Sequence, residues 1–402
     1  MRILFSSTRG TGHTQPLLPY ARALQARGHA VRVAAPASVA ELLGQAGLVH
    51  APFDHPGDAA LAPIWARLRG LSPEQSNALA AGEIFAGLNA ESALPKLQET
   101  IRGFRPDLIV RDSVEFGSLI AAESAGVPHA RVAVHLVSFE EAIPAAVAES
   151  LARLRKAAGL SPDHGESLTS EPCFSAFPEA LDRAPAAGSR APAPFRARMP
   201  DEEPDPARPA FQPAGDPRPL VYVTFGTIAG TTPRVRAVYR VALDALAELS
   251  VQALLTTGRG FDVAELGAIP ENVHVAEWVP QREVLVHARA VVCHGGSGTV
   301  RGTLAAGVPL VVVPLFADQH FNAERIAEAR AGLAVPDADS ALLGAAILRV
   351  LADAELRAGA KVLAAAIAAL PPIDAAVDAL LSLASAAPRS DAEGWDGPRR
   401  GA

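Results

Sequence analysis

The sequence predicts an α/β protein built from two doubly wound, Rossmann-like domains facing across a cleft. Three observations carry that expectation: short apolar runs alternate with longer amphipathic ones, the alternation occurs twice, and a proline-rich stretch separates the two rounds. In the first half RILFSS, AVRVAA, LIVRDS and ARVAVH read as strands. PLLPYARALQARG, SVAELLGQAG and SLIAAESAG read as helices closed by glycine. Strands alternating with helices imply a parallel sheet covered on both faces. From Pro185 to Pro219 so much proline excludes a regular element and implies a semi-rigid connection. Beyond it LVYVTFG, VQALLTT, VHVAEW, AVVCHGG and LVVVP restart the pattern. The expected boundaries are 1–200 for the N-terminal domain, 201–218 for the linker, 219–386 for the C-terminal domain and 387–402 for a disordered tail.

The bulk numbers narrow the function. Of 402 residues, 49% are hydrophobic and 20% charged, the balance of a globular enzyme. A net charge of −7 disfavours nucleic acid and anionic membrane surfaces as partners. Two distant cysteines, Cys173 and Cys293, make neither a disulfide framework nor a metal knuckle. No secretory signal and no apolar run of about 20 residues is present, so a cytoplasmic protein without membrane insertion is expected, as monomer or homodimer.

The first strand ends in Gly10-Thr11-Gly12-His13, with Pro16 near the start of the next helix. A dinucleotide fingerprint fails here, because Gln15 replaces the third glycine and AVRVAAP lacks a terminal acid to hold a ribose. What remains is His13 at the carboxyl end of a parallel sheet, a position suited to accepting a proton from a ligand. Asp112, two strands further along, is the candidate that orients it. The simpler reading of Asp112 or Ser113 is the N-cap of the helix that follows.

In the second half His294 heads the run Gly295-Gly296-Ser297-Gly298-Thr299 between a strand and a helix. Backbone N–H groups at a helix N-terminus attract phosphate, and glycine lets it approach. No lysine follows, so this is not a P-loop. Gly226, Thr227 and Thr231 close a neighbouring strand and can face the same anion. Trp278 offers a platform for a nucleobase and Gln281 can read an edge or a ribose; the plainer reading of Trp278 is core. Asp318 and Gln319 suit sugar hydroxyls, and no partner cluster supports a metal there.

Together these residues resemble the family 1 glycosyltransferases of the GT-B fold, especially bacterial ones that decorate macrolide and polyketide antibiotics. The match runs over nearly the whole chain, through Gly10 to Pro16 and, more specifically, WVPQ, HGGSGT, LAAGVP and DQ between Trp278 and Asn322. The resemblance implies an acceptor-binding N-terminal domain and a C-terminal domain that binds a nucleotide-sugar donor. It makes His13 the general base with Asp112 as helper, gives the diphosphate to Thr227, His294, Gly295, Gly296, Ser297, Gly298 and Thr299, and the base and ribose to Trp278, Val279 and Gln281. Asp318 and Gln319 then hold the sugar. The expected reaction is an inverting transfer to a hydroxyl of a small-molecule acceptor, with no metal and no cofactor beyond the TDP- or UDP-sugar substrate. The domains are expected to close on the donor.

One position departs from the family. Eight residues after His294 the family often has a glutamate for the ribose hydroxyls, and here stands Gly302. That favours a 2′-deoxyribose donor, such as a TDP-deoxysugar, over a UDP-sugar. Segments 64–94 and 134–148, with Trp65, Phe85, His135 and Phe139, are expected to line a pocket for a lipophilic aglycone; ordinary helix core is the alternative. A nucleotide-sugar epimerase and a non-catalytic helper protein are the rival functions, both disfavoured by the set of loop residues.

Overall fold

A computed structural model describes residues 1–163, 165–183, 192–200, 215–226, 233–258, 260–337 and 339–386. Most of the expected linker, the expected tail, Thr227 and Thr231 therefore lie outside the described residues.

The first unit carries a seven-stranded parallel sheet. Its strands are β1 (Arg2–Ser6), β2 (Ala30–Pro36), β3 (Val49–Phe53), β4 (Leu108–Asp112), β5 (His129–Val132), β6 (Cys173–Ser175) and β7 (Phe195–Arg196). The order is β3-β2-β1-β4-β5-β6-β7. Buried strands of this kind alternate their side chains between two helix layers. Ile3 and Phe5 pack into one core with Tyr20 and Leu24, while Leu4 and Ile109 join Leu97 and Ile101 in the other. Each such side chain contributes about 1.5–3 kcal/mol on burial.

The second unit has a six-stranded parallel sheet: β8 (Leu220–Thr224), β9 (Gln252–Thr256), β10 (Val273–Ala276), β11 (Ala288–Cys293), β12 (Leu310–Val312) and β13 (Gly332–Ala334). Its order is β10-β9-β8-β11-β12-β13. In both sheets the strand order reverses once, between β1 and β4 and between β8 and β11. Open α/β sheets bind ligands outside the carboxyl ends of the strands at such a reversal.

The structure differs from the sequence boundaries in three places. Helix Ile373–Ala386 packs on the first unit, with Ile373, Ala376, Val377 and Leu380 buried against Leu24 and its neighbours. Arg27 fixes it by donating to Asp374 at 2.7 Å and Asp378 at 2.5 Å. Its apolar face is completed by the first sheet's helix layer, a pairing that local pattern does not reveal. Conversely, Phe177–Arg183 belongs to the second unit, where buried Arg325 donates to the Leu181 carbonyl. Within the proline-rich stretch, Phe195–Arg196 forms edge strand β7, a position where proline nearby is tolerated. The strand β3, which contains Pro52, is likewise at an edge. Among the described residues no helix is long and apolar enough to cross a membrane.

Candidate active site

His13 stands in the loop after β1 and Asp112 ends β4, so the two meet at the reversal of the first sheet. His13 lies in the short helix Thr11–Thr14, its backbone N–H bonded to the Gly10 carbonyl. Its Nδ1 is 3.9 Å from Oδ2 of Asp112, whose carboxylate is fully buried. That separation is long for a hydrogen bond, and contacts of this kind commonly tighten only when substrate is bound.

The simpler reading of Asp112 as the helix N-cap fails. The cap of helix Phe116–Ala125 is Glu115, which accepts from the Gly117 and Ser118 N–H groups. Asp112 instead accepts from Thr8 N–H at 2.7 Å and Val114 N–H at 2.8 Å. It therefore ties the His13 loop to the end of β4. Glu115 also accepts from Ser6 Oγ at 2.7 Å, and burial beside Asp112 pushes its carboxyl above the usual range.

A buried ionic network supports this loop. Arg111, fully buried, makes a two-pronged pair with Glu171, Nε to Oε1 at 2.9 Å and Nη2 to Oε2 at 2.5 Å. Its Nη1 donates to the carbonyls of Asp112, Ser113 and Glu115. Burial works against the Glu171 charge, but Arg111 and His129 outweigh it and hold the carboxyl down to about 2. Sequence reasoning passed over Arg111, Glu115, Glu140 and Glu171 as functional residues. An arginine directly after the apolar run LIV, within a strand expected to be buried, was the available signal, since a charge there demands a partner.

Around His13 the expected acceptor residues divide. Phe85, His135 and Phe139 form a row with it: the ring centroids of Phe85 and His13 are 5.6 Å apart, those of His13 and His135 6.2 Å, and those of His135 and Phe139 5.2 Å. Phe85 comes from the π-helix Ala80–Asn89, which departs from helical geometry at Gly87; such helices recur at functional sites. Trp65 is not in this row. It lies half-exposed on helix Asp58–Leu68, whose buried contacts with Ile84 run through Leu61 and Ile64. The ordinary-core reading fits Leu136 and Ile143, both buried.

In the second unit His294 follows β11, and helix Ser297–Ala305 begins at the Gly296 cap. Among the described residues no side chain caps that helix, which leaves the N–H groups of its first turn suited to a ligand. The His294 ring occupies the space that side chains at two glycines would need. A Cβ at Gly226 would be 2.9 Å from Cε1 and one at Gly296 2.5 Å from Nε2. Burial holds the imidazole down to about 4, against the opposing pull of Asp318 and the Thr224 carbonyl. In the free protein the ring is therefore neutral at pH 7.

The remaining expected residues are less independent than their spacing implied. Ser297 Oγ donates to Asp318 Oδ2 at 2.7 Å, so its proton is committed within the protein. Asn322, not foreseen as functional, donates to that same oxygen and to the Gly295 carbonyl, both at 2.8 Å. Gln319 Oε1 accepts from the Leu315 and Phe316 N–H groups, closing a turn in which Ala317 has φ 55. A left-handed alanine costs roughly 1–2 kcal/mol, stored where Asp318 is presented. Of the pair, Asp318 Oδ1 and the Gln319 amide nitrogen have no hydrogen-bond partner among the described residues. Trp278 is 40% exposed, so the reading of it as core does not hold. Val279 is partly buried beside it. Gln281 places Oε1 against Gly302, and its Nε2 is buried without a hydrogen-bond partner among the described residues. Thr227 lies outside the described residues. No group of three metal-ligating side chains occurs among the described residues.

Comparison with known proteins adds an independent line. Residues 22–153 and 240–383 match the N-terminal and C-terminal domains of the family described as erythromycin biosynthesis protein CIII-like. The L-demethylnoviosyl transferase of Streptomyces niveus is 33% identical over 364 residues, covering 89% of this chain and 90% of that protein. The tylactone mycaminosyltransferase of Streptomyces fradiae is 29% identical over 92% of this chain and 90% of its own length. Among solved structures, the glycosyltransferase SnogD of Streptomyces nogalater superposes with a TM-score of 0.76 at 26% identity, covering 96% of this chain and 99% of its own.

Proposed function

The chain belongs to the erythromycin biosynthesis protein CIII-like glycosyltransferases of the GT-B fold, and from that premise we propose that it transfers a deoxysugar from a TDP-sugar to a hydroxyl of a lipophilic natural-product aglycone. The observation that carries the mechanism is His13 at the sheet reversal with the buried Asp112 carboxylate 3.9 Å from its Nδ1. Asp112 sets the ring's orientation and stabilises the imidazolium as it forms. His13 takes the acceptor's hydroxyl proton while that oxygen bonds to the anomeric carbon. The bond from that carbon to the diphosphate breaks, and its electron pair leaves with the nucleotide. One displacement inverts the anomeric centre.

The negative charge that grows on the diphosphate is met by the N–H groups of Ser297, Gly298 and Thr299, and His294 is assigned to the same anion. Gly295 and Gly296 keep that approach open, and Thr227 is assigned to the same anion. This set needs no metal. Trp278 and Val279 take the base, Gln281 the ribose, and Asp318 with Gln319 the sugar. Phe85, His135 and Phe139 line the acceptor side.

The test is a calorimetric titration with TDP, UDP and NADH without added metal. Binding of TDP above UDP, and none of NADH, is expected. UDP preference would return a ribonucleotide donor, and failure of both pyrimidine diphosphates would remove the loop after His294 as the donor site.

A further inference from the structure

One buried carboxamide joins the residue assigned to the donor sugar with the loop assigned to the diphosphate. Asn322 lies in the first turn of helix Gln319–Glu328 and is 1% exposed. Its Nδ2 donates to Asp318 Oδ2 and to the Gly295 carbonyl, both at 2.8 Å. A carboxylate and a carbonyl only accept, so these contacts fix which end of the amide carries the protons, and both protons are used. Ser297 Oγ donates to the same Asp318 oxygen at 2.7 Å. Gly295 is pressed against the start of the same helix: its φ is 89, and a Cβ there would stand 2.7 Å from Val312 Cγ1 and 3.2 Å from the Gln319 carbonyl oxygen. The loop after β11 and the turn after β12 therefore meet through Asn322.

Asp318 is 7% exposed, and a buried carboxylate needs partners. The donors that hold its Oδ2 are the neutral Ser297 and Asn322, which fix the group without cancelling its charge. Asn322 Oδ1, by contrast, is buried with no hydrogen-bond partner among the described residues. A half-satisfied carboxamide serves stability poorly, so the asparagine is explained by what its amide protons hold. We infer that Asn322 is a positioning residue for the donor: by occupying Oδ2 it fixes the Asp318 carboxylate against the diphosphate loop and reserves Oδ1 for a sugar hydroxyl. Sugar and diphosphate, the two groups joined by the bond that breaks, are then held by one connected frame. Asn322 acts through Asp318 and touches neither group. This inference rests on the transferase reading, which gives the sugar to Asp318 and the diphosphate to the loop after His294.

The test compares a nucleotide with and without its sugar. The full-length protein is titrated with TDP and with TDP-glucose, and the ratio of the two dissociation constants reports what the sugar adds. Urea midpoints establish which variants are folded. Asn322→Ala should reduce the sugar's contribution by about tenfold or more, the scale of a hydrogen bond to a charged group. Asn322→Asp, which keeps the size and cannot donate, and Asn322→Ser, which is too short to span both partners, should reduce it in the same direction and carry the comparison if the alanine variant does not fold. Asp318→Ala should reduce it at least as far. The double variant Asp318→Ala with Asn322→Ala should lose no more than Asp318→Ala alone, because residues that act through one another are not additive. A ratio unmoved in the folded Asn322 variants, equal weakening of both ligands, or additive losses in the double variant overturns the inference while leaving the transferase reading in place. Failure of wild type to bind TDP would strike the transferase reading itself, and a ratio indifferent to Asp318→Ala would strike its assignment of the sugar; either takes the inference with it.

Discussion

Gly302 lies against the carboxamide of Gln281: a Cβ at residue 302 would stand 2.9 Å from Gln281 Oε1. The contact is with the end of a flexible side chain, so a larger residue displaces Gln281 without moving backbone. Gln281 thus fills space at the position where the family resemblance leads one to expect a glutamate. Gly302→Glu is expected to expel the carboxamide and place a carboxylate for ribose hydroxyls. UDP affinity should rise relative to TDP by about tenfold, as a hydrogen bond to a charged group would produce. Calorimetry with both nucleotides decides it, and an unchanged ratio would detach Gly302 from donor choice.

His13→Ala should retain TDP binding and lower transfer by roughly a hundredfold or more, the usual contribution of a general base. Asp112→Asn should lose both activity and stability, because Asp112 also accepts from the Thr8 and Val114 N–H groups. An amide in its place turns a donor toward one of those N–H groups, costing about 1–3 kcal/mol. Transfer rates and urea midpoints of the two variants separate these effects. Full activity in His13→Ala would remove that residue from the mechanism.

These two sites show what the sequence made legible. His13, Asp112 and the His294 loop stand at strand ends, and alternating periodicity locates strand ends from local pattern alone. Trp278 was read as a platform or as core, and its exposure, which local pattern does not reveal, argues against core. The supports were harder to see. Glu171 is 60 residues from Arg111, and helix Ile373–Ala386 packs against Leu24 across most of the chain. Such pairings depend on which faces meet after folding, which periodicity leaves open. Ser297 and Asp318 were assigned to different parts of the donor, yet they share a hydrogen bond.

The Arg111–Glu171 pair should govern stability more than chemistry. Glu171→Gln leaves the buried guanidinium without its counter-charge, a change that costs about 3–5 kcal/mol. Replacing both partners with apolar residues, Arg111→Met with Glu171→Leu, should restore much of that loss. Transfer should not recover in parallel, because the carbonyls of Asp112, Ser113 and Glu115 lose their shared donor. Denaturant midpoints compared with transfer rates test this. Recovery of both together would mean that Arg111 does not organise the loop.

His294 should link stability to pH in a window above the carboxylate range. Its imidazole is held from 6.5 down to about 4, so the unfolded chain binds its proton first as pH falls. At pH 7.5 both states are neutral and the residue contributes nothing through protonation. Below 6.5 the unfolded state gains a proton that the folded state refuses, and stability declines until pH reaches about 4. Between pH 7.5 and pH 5.0 this amounts to roughly 2 kcal/mol, an upper limit for a ring with some solvent contact. His294→Gln should therefore lose less stability than wild type over that interval in urea titrations. Bound TDP favours the charged ring through its diphosphate and should narrow the gap between the two proteins. Parallel pH curves for wild type and variant would mean that the ring titrates alike in both states, and a gap indifferent to TDP would place the diphosphate away from His294.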